Sequence, residues 1–175
     1  MKNLSFLSTI TLALTLFLST NLNAQKFSGL DKSPMDAAFY RTSRKAPAMA
    51  KVIYSRPQLK GRELSKLAPN GEVWRTGANE AASITLYQDM KIGGKLVSAG
   101  EYSLFTIPGE KEWTIIISKD INVWGAYSYN KANDVIRVSA PVSKGEMLEA
   151  FSITFTEGNM HLGWGTTRVT VPFTK

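Results

Sequence analysis

Glu101-Tyr102-Ser103-Leu104-Phe105-Thr106-Ile107, then Pro108-Gly109-Glu110-Lys111, then Trp113-Thr114-Ile115-Ile116-Ile117-Ser118 is the stretch that decides the fold. Two runs rich in β-branched and aromatic residues flank a segment with Pro and Gly, which is the pattern of a β-hairpin. Tyr102 and Leu104 fall on one face of the first run, as period-two alternation requires. The unbroken Ile115-Ile116-Ile117 predicts a central strand covered on both faces.

The same texture extends in both directions. Residues 51–55 form a first candidate strand, stopped by Arg56-Pro57. Residues 82–87 alternate, with Ile84 and Leu86 on one face. Ile92 leads into Gly93-Gly94, a pair free to take the positive φ of a type I′ turn, and residues 95–97 return. Further strands are expected over 134–140, 150–156, 160–164 and 168–173, with Glu157-Gly158-Asn159 as a turn. The expectation is an all-β, single-domain antiparallel β-sandwich of about nine short strands, a jelly roll being one arrangement that fits. Its core is expected to hold Ile84, Leu86, Tyr102, Leu104, Trp113, Ile115, Ile117, Ile136, Val138, Phe151, Ile153, Phe155, Leu162, Val169 and Val171.

Upstream, Lys2 precedes an apolar run over residues 4–18, short of the roughly 20 residues of a spanning helix. With a small residue at Ala24 this predicts a secretory signal peptide over 1–24 and an exported protein, periplasmic or extracellular. Residues 25–49, with Pro34 and Pro47, are expected as an N-terminal arm, in which Ser33-Pro34-Met35-Asp36 could open a short helix. The β-sandwich domain is expected over 50–175. The chain has no Cys, and a domain of this size needs no disulfide. No transmembrane segment is expected after the signal. The net charge of +7 has no dense basic run behind it, which favours acidic partners in general and argues against nucleic acid.

Several short motifs recur together. They are Ser33-Pro34-Met35-Asp36, Tyr54-Ser55-Arg56-Pro57, Gly61-Arg62, Val73-Trp74-Arg75-Thr76-Gly77-Ala78-Asn79-Glu80-Ala81 and Lys91-Ile92-Gly93-Gly94-Lys95. Gly100-Glu101-Tyr102-Ser103-Leu104, Ile107-Pro108, Trp113-Thr114-Ile115-Ile116, Lys119-Asp120 and Trp124-Gly125 follow in order. The set resembles the bacterial domain of unknown function 2911, over about residues 32–142 and more loosely beyond. The resemblance implies an exported, β-rich single domain and supplies no reaction.

The chemistry-bearing residues narrow the reading. The single histidine, His161, has no Gly-x-Ser-x-Gly elbow to serve and reads as an exposed strand residue. One His and no Cys leave the common zinc sets unavailable, and no calcium-loop pattern occurs, so neither metal nor cofactor is expected. Glu110 and Glu112 sit at a hairpin tip, where charges usually keep a turn soluble.

Polar function concentrates instead in residues 71–80, where Arg75 carries a planar fork suited to carboxylates. Glu80, Glu72 or Asp120 could receive it in a buried knot. Alternatively Arg75, Asn79 and Trp74 could line a half-open ligand pocket, with Gly77 supplying backbone freedom and Arg56 and Arg62 converging on it. Trp124-Gly125-Ala126-Tyr127-Ser128-Tyr129 and Trp164-Gly165 either present open ring faces or plug the ends of the sandwich. The ligand-site candidates are therefore Arg56, Arg62, Trp74, Arg75, Asn79, Glu80, Trp124 and Tyr129, with no catalytic residue assigned. This leads to a non-catalytic binding or interaction module for a glycan or other envelope ligand. The rivals are a hydrolase using Glu80 with Arg75 and Asn79, and a purely structural envelope protein.

Overall fold

Nine strands hydrogen-bond into one continuous antiparallel sheet in the computed structural model, which describes residues 25–175. The expected signal sequence lies outside the described residues. Asp31–Lys175 forms one compact unit, and residues 25–30 are exposed and carry no regular element.

In chain order the elements are β1 (Met35–Tyr40), β2 (Ala50–Ser55), the single-turn helix α1 (Leu64–Leu67), β3 (Ala82–Leu86), β4 (Met90–Ile92), β5 (Lys95–Val97), β6 (Gly100–Ile107), β7 (Glu112–Ser118), β8 (Asp134–Thr156) and β9 (Asn159–Thr174). The spatial order is β1-β2-β3-β6-β7-β8-β9-β4-β5, with β1 and β5 as open edges. The β6–β7 hairpin forms as its sequence predicts, pairing Ser103 with Ser118 through Ile107 with Thr114. Gly93 and Gly94 turn at φ 55° and 81°, and Glu157 and Gly158 at φ 50° and 74°.

Two features differ from expectation. Ser33-Pro34 opens no helix: residues 35–40 are strand β1, paired along its whole length with β2 from Met35–Ser55 to Tyr40–Ala50. Six residues of ladder outweigh one capping serine, and Pro34 still serves by accepting Arg56 N–H at 3.0 Å. The expected strands at 134–140 and 150–156 are also one strand, and so are those at 160–164 and 168–173. β8 pairs with β7 up to Pro141 and with β9 from Val142 onward, so it carries the sheet from one half to the other.

The β8–β9 ribbon bends strongly. Between Lys144–Thr167 and Leu148–Gly165, β8 advances four residues while β9 advances two, and the same happens again to Ser152–Gly163. Extra residues on one strand curl a ladder away from that strand. Gly165 takes φ 56° in the bend. His161 Nδ1 thereby comes within 3.0 Å of Thr170 Oγ1, although nine residues of extended strand would span about 30 Å.

The bend makes the two halves of the sheet face each other. Tyr40 of β1 stacks on Phe155 of β8 at 5.5 Å, and Tyr54 of β2 meets Phe151 of β8 edge-on at 5.6 Å. The buried Tyr54 hydroxyl accepts Ile153 N–H at 2.8 Å and donates to Ile153 C=O at 3.2 Å. Of the expected core, Tyr102 and Phe155 are only partly buried and the remainder is buried. Ile116 and Phe105 are fully buried on the opposite face of β6–β7 from Leu104, Ile115 and Ile117. Their cover includes the segment after β7, whose Tyr129 ring stands edge-on to Phe105 at 5.1 Å. That covering segment builds one wall of the candidate site.

Candidate functional site

Trp74 pairs with Thr106 of β6 in both directions, N–H to C=O at 2.7 and 3.0 Å, and so extends the line of β3. Its ring enters the core: it stacks on Trp164 at 5.5 Å and 15°, and meets Trp113 and Phe151 edge-on at 6.0 and 5.0 Å. Strand alternation then turns Arg75 to the outer face. Arg75 C=O accepts Ala82 N–H at 2.9 Å, so residues 76–81 leave the sheet as a closed excursion.

The excursion is strained and tightly tied. Thr76 is fully buried at φ 54°, with its hydroxyl 3.2 Å from Thr106 Oγ1, and Asn79 takes φ 62°. A β-branched residue in the left-handed region is a true outlier, costing on the order of 1–3 kcal/mol. Gly77 serves by closeness rather than by positive φ, since a Cβ there would lie 3.0 Å from Ser55 O. Beyond it, Gly125 N–H donates to Asn79 C=O and Ala81 N–H to Val123 C=O, both at 3.0 Å. Glu80 bridges Trp124, and Asn122 and Gly125 both adopt positive φ (56° and 66°). Among the described residues, three of the five non-glycine positions with positive φ therefore belong to this small junction. Such clustering is typical of functional sites.

At the junction Arg75 has no hydrogen-bond or ion-pair partner among the described residues. Its Nε is the one buried side-chain nitrogen or oxygen without a hydrogen bond among the described residues, and its guanidinium enters no ion pair there. The proposed acceptors lie elsewhere: Glu72 and Glu80 are exposed, and Asp120 accepts from Asn130 N–H at 3.1 Å and from the Asn133 amide. The buried Arg75–Glu80 knot therefore does not form. A Cβ on Gly125 would lie 2.8 Å from the Tyr127 ring and 3.6 Å from Arg75 Nη1, so both groups use the space that glycine leaves. Trp124 is 59% exposed and Tyr127 84%.

The other candidates separate from this place. Arg56 is a clamp: Nε donates to Phe151 O (3.1 Å), Nη2 to Ser152 Oγ (2.7 Å) and Nη1 to Asp36 Oδ2 (3.1 Å). Arg62 holds the carbonyls of Leu59 and Gln58 at the rim of a different cleft. Trp164, for which the sequence left an open ring face or an interior plug, takes the second place: it is 1% exposed, with its Nε1 donating to Glu149 O at 3.1 Å. Tyr129 turns inward, donating to the Asp134 carboxylate at 2.8 Å and accepting from Arg137, whose Nε also contacts Asp134 at 2.5 Å. Tyr127, not Tyr129, is the exposed tyrosine of this segment. Because residues 125–128 are turn rather than strand, alternation could not tell the two apart.

His161 sits between Thr156 Oγ1 (2.9 Å) and Thr170 Oγ1 (3.0 Å), in a groove of about 410 Å³ in the bend of β8–β9. No three His, Cys, Asp or Glu side chains converge as metal ligands among the described residues.

One buried and one half-buried phenol give a pH dependence. Burial raises Tyr54 above the ordinary 10.0, against the lowering effect of its bond to the Ile153 backbone. Burial also raises Tyr129, with its hydrogen bond to Asp134 adding to the effect. Above the ordinary value the unfolded chain holds fewer protons than the folded one, so stability is full below it and falls as pH rises toward the raised values. Urea unfolding between about pH 9 and 11 should show this loss, and Tyr54→Phe with Tyr129→Phe should flatten it.

The sequence profile of the family described as "Protein of unknown function (DUF2911)" matches residues 33–173. No curated protein and no solved structure gives a significant match. The match runs from just before β1 into β9 and so takes in the whole sheet, and this chain belongs to the DUF2911 family.

Proposed function

We propose that the protein is an exported, non-catalytic binding module that takes an acidic glycan or similar envelope polymer at the Arg75 junction. The observation that carries this reading is the unpaired guanidinium beside two exposed rings. An orphaned buried donor costs about 1–3 kcal/mol, so a fold that keeps one needs a compensating role for it. A guanidinium fork receives a carboxylate with two parallel hydrogen bonds, and Trp and Tyr faces stack on sugar rings. The net charge of +7, which becomes about +6 once Lys2 leaves with the signal, adds a long-range attraction for acidic chains.

Calorimetric titration with an oligouronate and with a neutral oligosaccharide of equal length tests this. The acidic chain should bind, and more weakly as salt rises. Equal affinity for both, or binding of neither, contradicts the proposal.

A further inference from the structure

A second concavity lies apart from the Arg75 junction. It occupies about 470 Å³ beside α1, the β6–β7 turn and the bend of β8–β9, within the size range of small-molecule sites. Trp113, Trp164 and Leu64 form part of its apolar lining. Around the rim stand two cations and two anions: Arg62 and Glu63 from the segment entering α1, Glu110 from the β6–β7 turn, and Lys144 from β8. All four are exposed, and none enters an ion pair among the described residues. Arg62 uses Nε and Nη2 on backbone carbonyls, which holds the guanidinium in place.

We propose that this cleft binds a zwitterion, namely a free amino acid or short peptide carrying both its ammonium and its carboxylate. A ligand of single charge would meet repulsion from half of the rim, and an uncharged ligand would leave all four charges unused. A zwitterion satisfies both signs: Arg62 and Lys144 receive the carboxylate, and Glu63 and Glu110 receive the ammonium. Its side chain lies against the tryptophan-lined wall. Charge-assisted hydrogen bonds of this kind are about twice as strong as neutral ones, so both ends contribute to selectivity.

The site is independent of Arg75, and the test keeps the two apart. The full folded chain is titrated with alanyl-alanine and phenylalanyl-alanine, and with their N-acetyl and C-amide derivatives. The free dipeptides are expected to bind, and blocking either end should weaken binding by about tenfold or more. Glu110→Gln and Lys144→Met, both at exposed positions, should each weaken the free dipeptides to a similar degree, whereas Arg75→Met should leave them unaffected. Blocked and free dipeptides binding equally, or none binding up to its solubility limit, overturns the proposal.

Discussion

Replacing Trp74 by alanine should lower the unfolding free energy by about 3–5 kcal/mol, the cost of deleting a large ring from a packed core. Trp74 is 6% exposed, and its ring lies within 5.0–6.0 Å of three others. Those partners come from both halves of the sheet: Trp113 from β7, Phe151 from β8 and Trp164 from β9. The surrounding strands are fixed by ladders on both sides and cannot collapse into the void, which places the effect in the upper part of the range. For a domain of this size the midpoint of thermal unfolding should fall by about 10 °C. Trp124→Ala, at a largely exposed ring, should change stability by less than about 0.5 kcal/mol. Thermal and urea unfolding of both variants check the contrast. Similar losses in the two would mean that the Trp74 cluster does not join the halves of the sheet.

The parts of the fold legible in the sequence are those set by local chemistry. Gly93-Gly94 and Glu157-Gly158 turn where they do because positive φ is needed there, and most strand bounds follow from alternation. What was not legible rests on contacts between distant residues. β1 reads as part of an N-terminal arm, with a possible helix start at Ser33-Pro34, because its ladder partner lies beyond a separate loop. The continuity of β8 depends on its finding β7 and β9 in succession, and the fate of Trp164 on β9 doubling back. Tyr54 and Ile153, 99 positions apart, hydrogen-bond only because of that bend.

The candidate site was legible in part. Residues 74–80 and Trp124 do come together, joined by the Asn79–Gly125 and Ala81–Val123 bonds. Nearness in sequence points Arg56 and Arg62 toward the same place, but the intervening strand and loop send them to a clamp and to the cleft rim. The cleft itself had no signature, since its charges come from separate segments and only the fold gathers them.

Arg75 carries the central claim, that its guanidinium is kept free for a ligand. A buried knot would make Arg75 a stabilising residue, because breaking a buried ion pair costs about 3–5 kcal/mol. An unpaired guanidinium predicts the reverse. Methionine keeps the packing of the aliphatic stem while removing the orphaned Nε and the charge, so nothing bonded is lost. Bidentate binding of a carboxylate, by contrast, disappears with the fork, and a charge-assisted contact of about 1.5–3 kcal/mol amounts to roughly ten- to hundredfold in affinity. The decisive measurement is Arg75→Met assayed twice on the same preparation, by urea unfolding and by titration with the oligouronate. The account predicts an unfolding free energy equal to or above that of the parent, together with an affinity at least about tenfold weaker. A variant that loses several kcal/mol of stability, or that binds the oligouronate as the parent does, would contradict it.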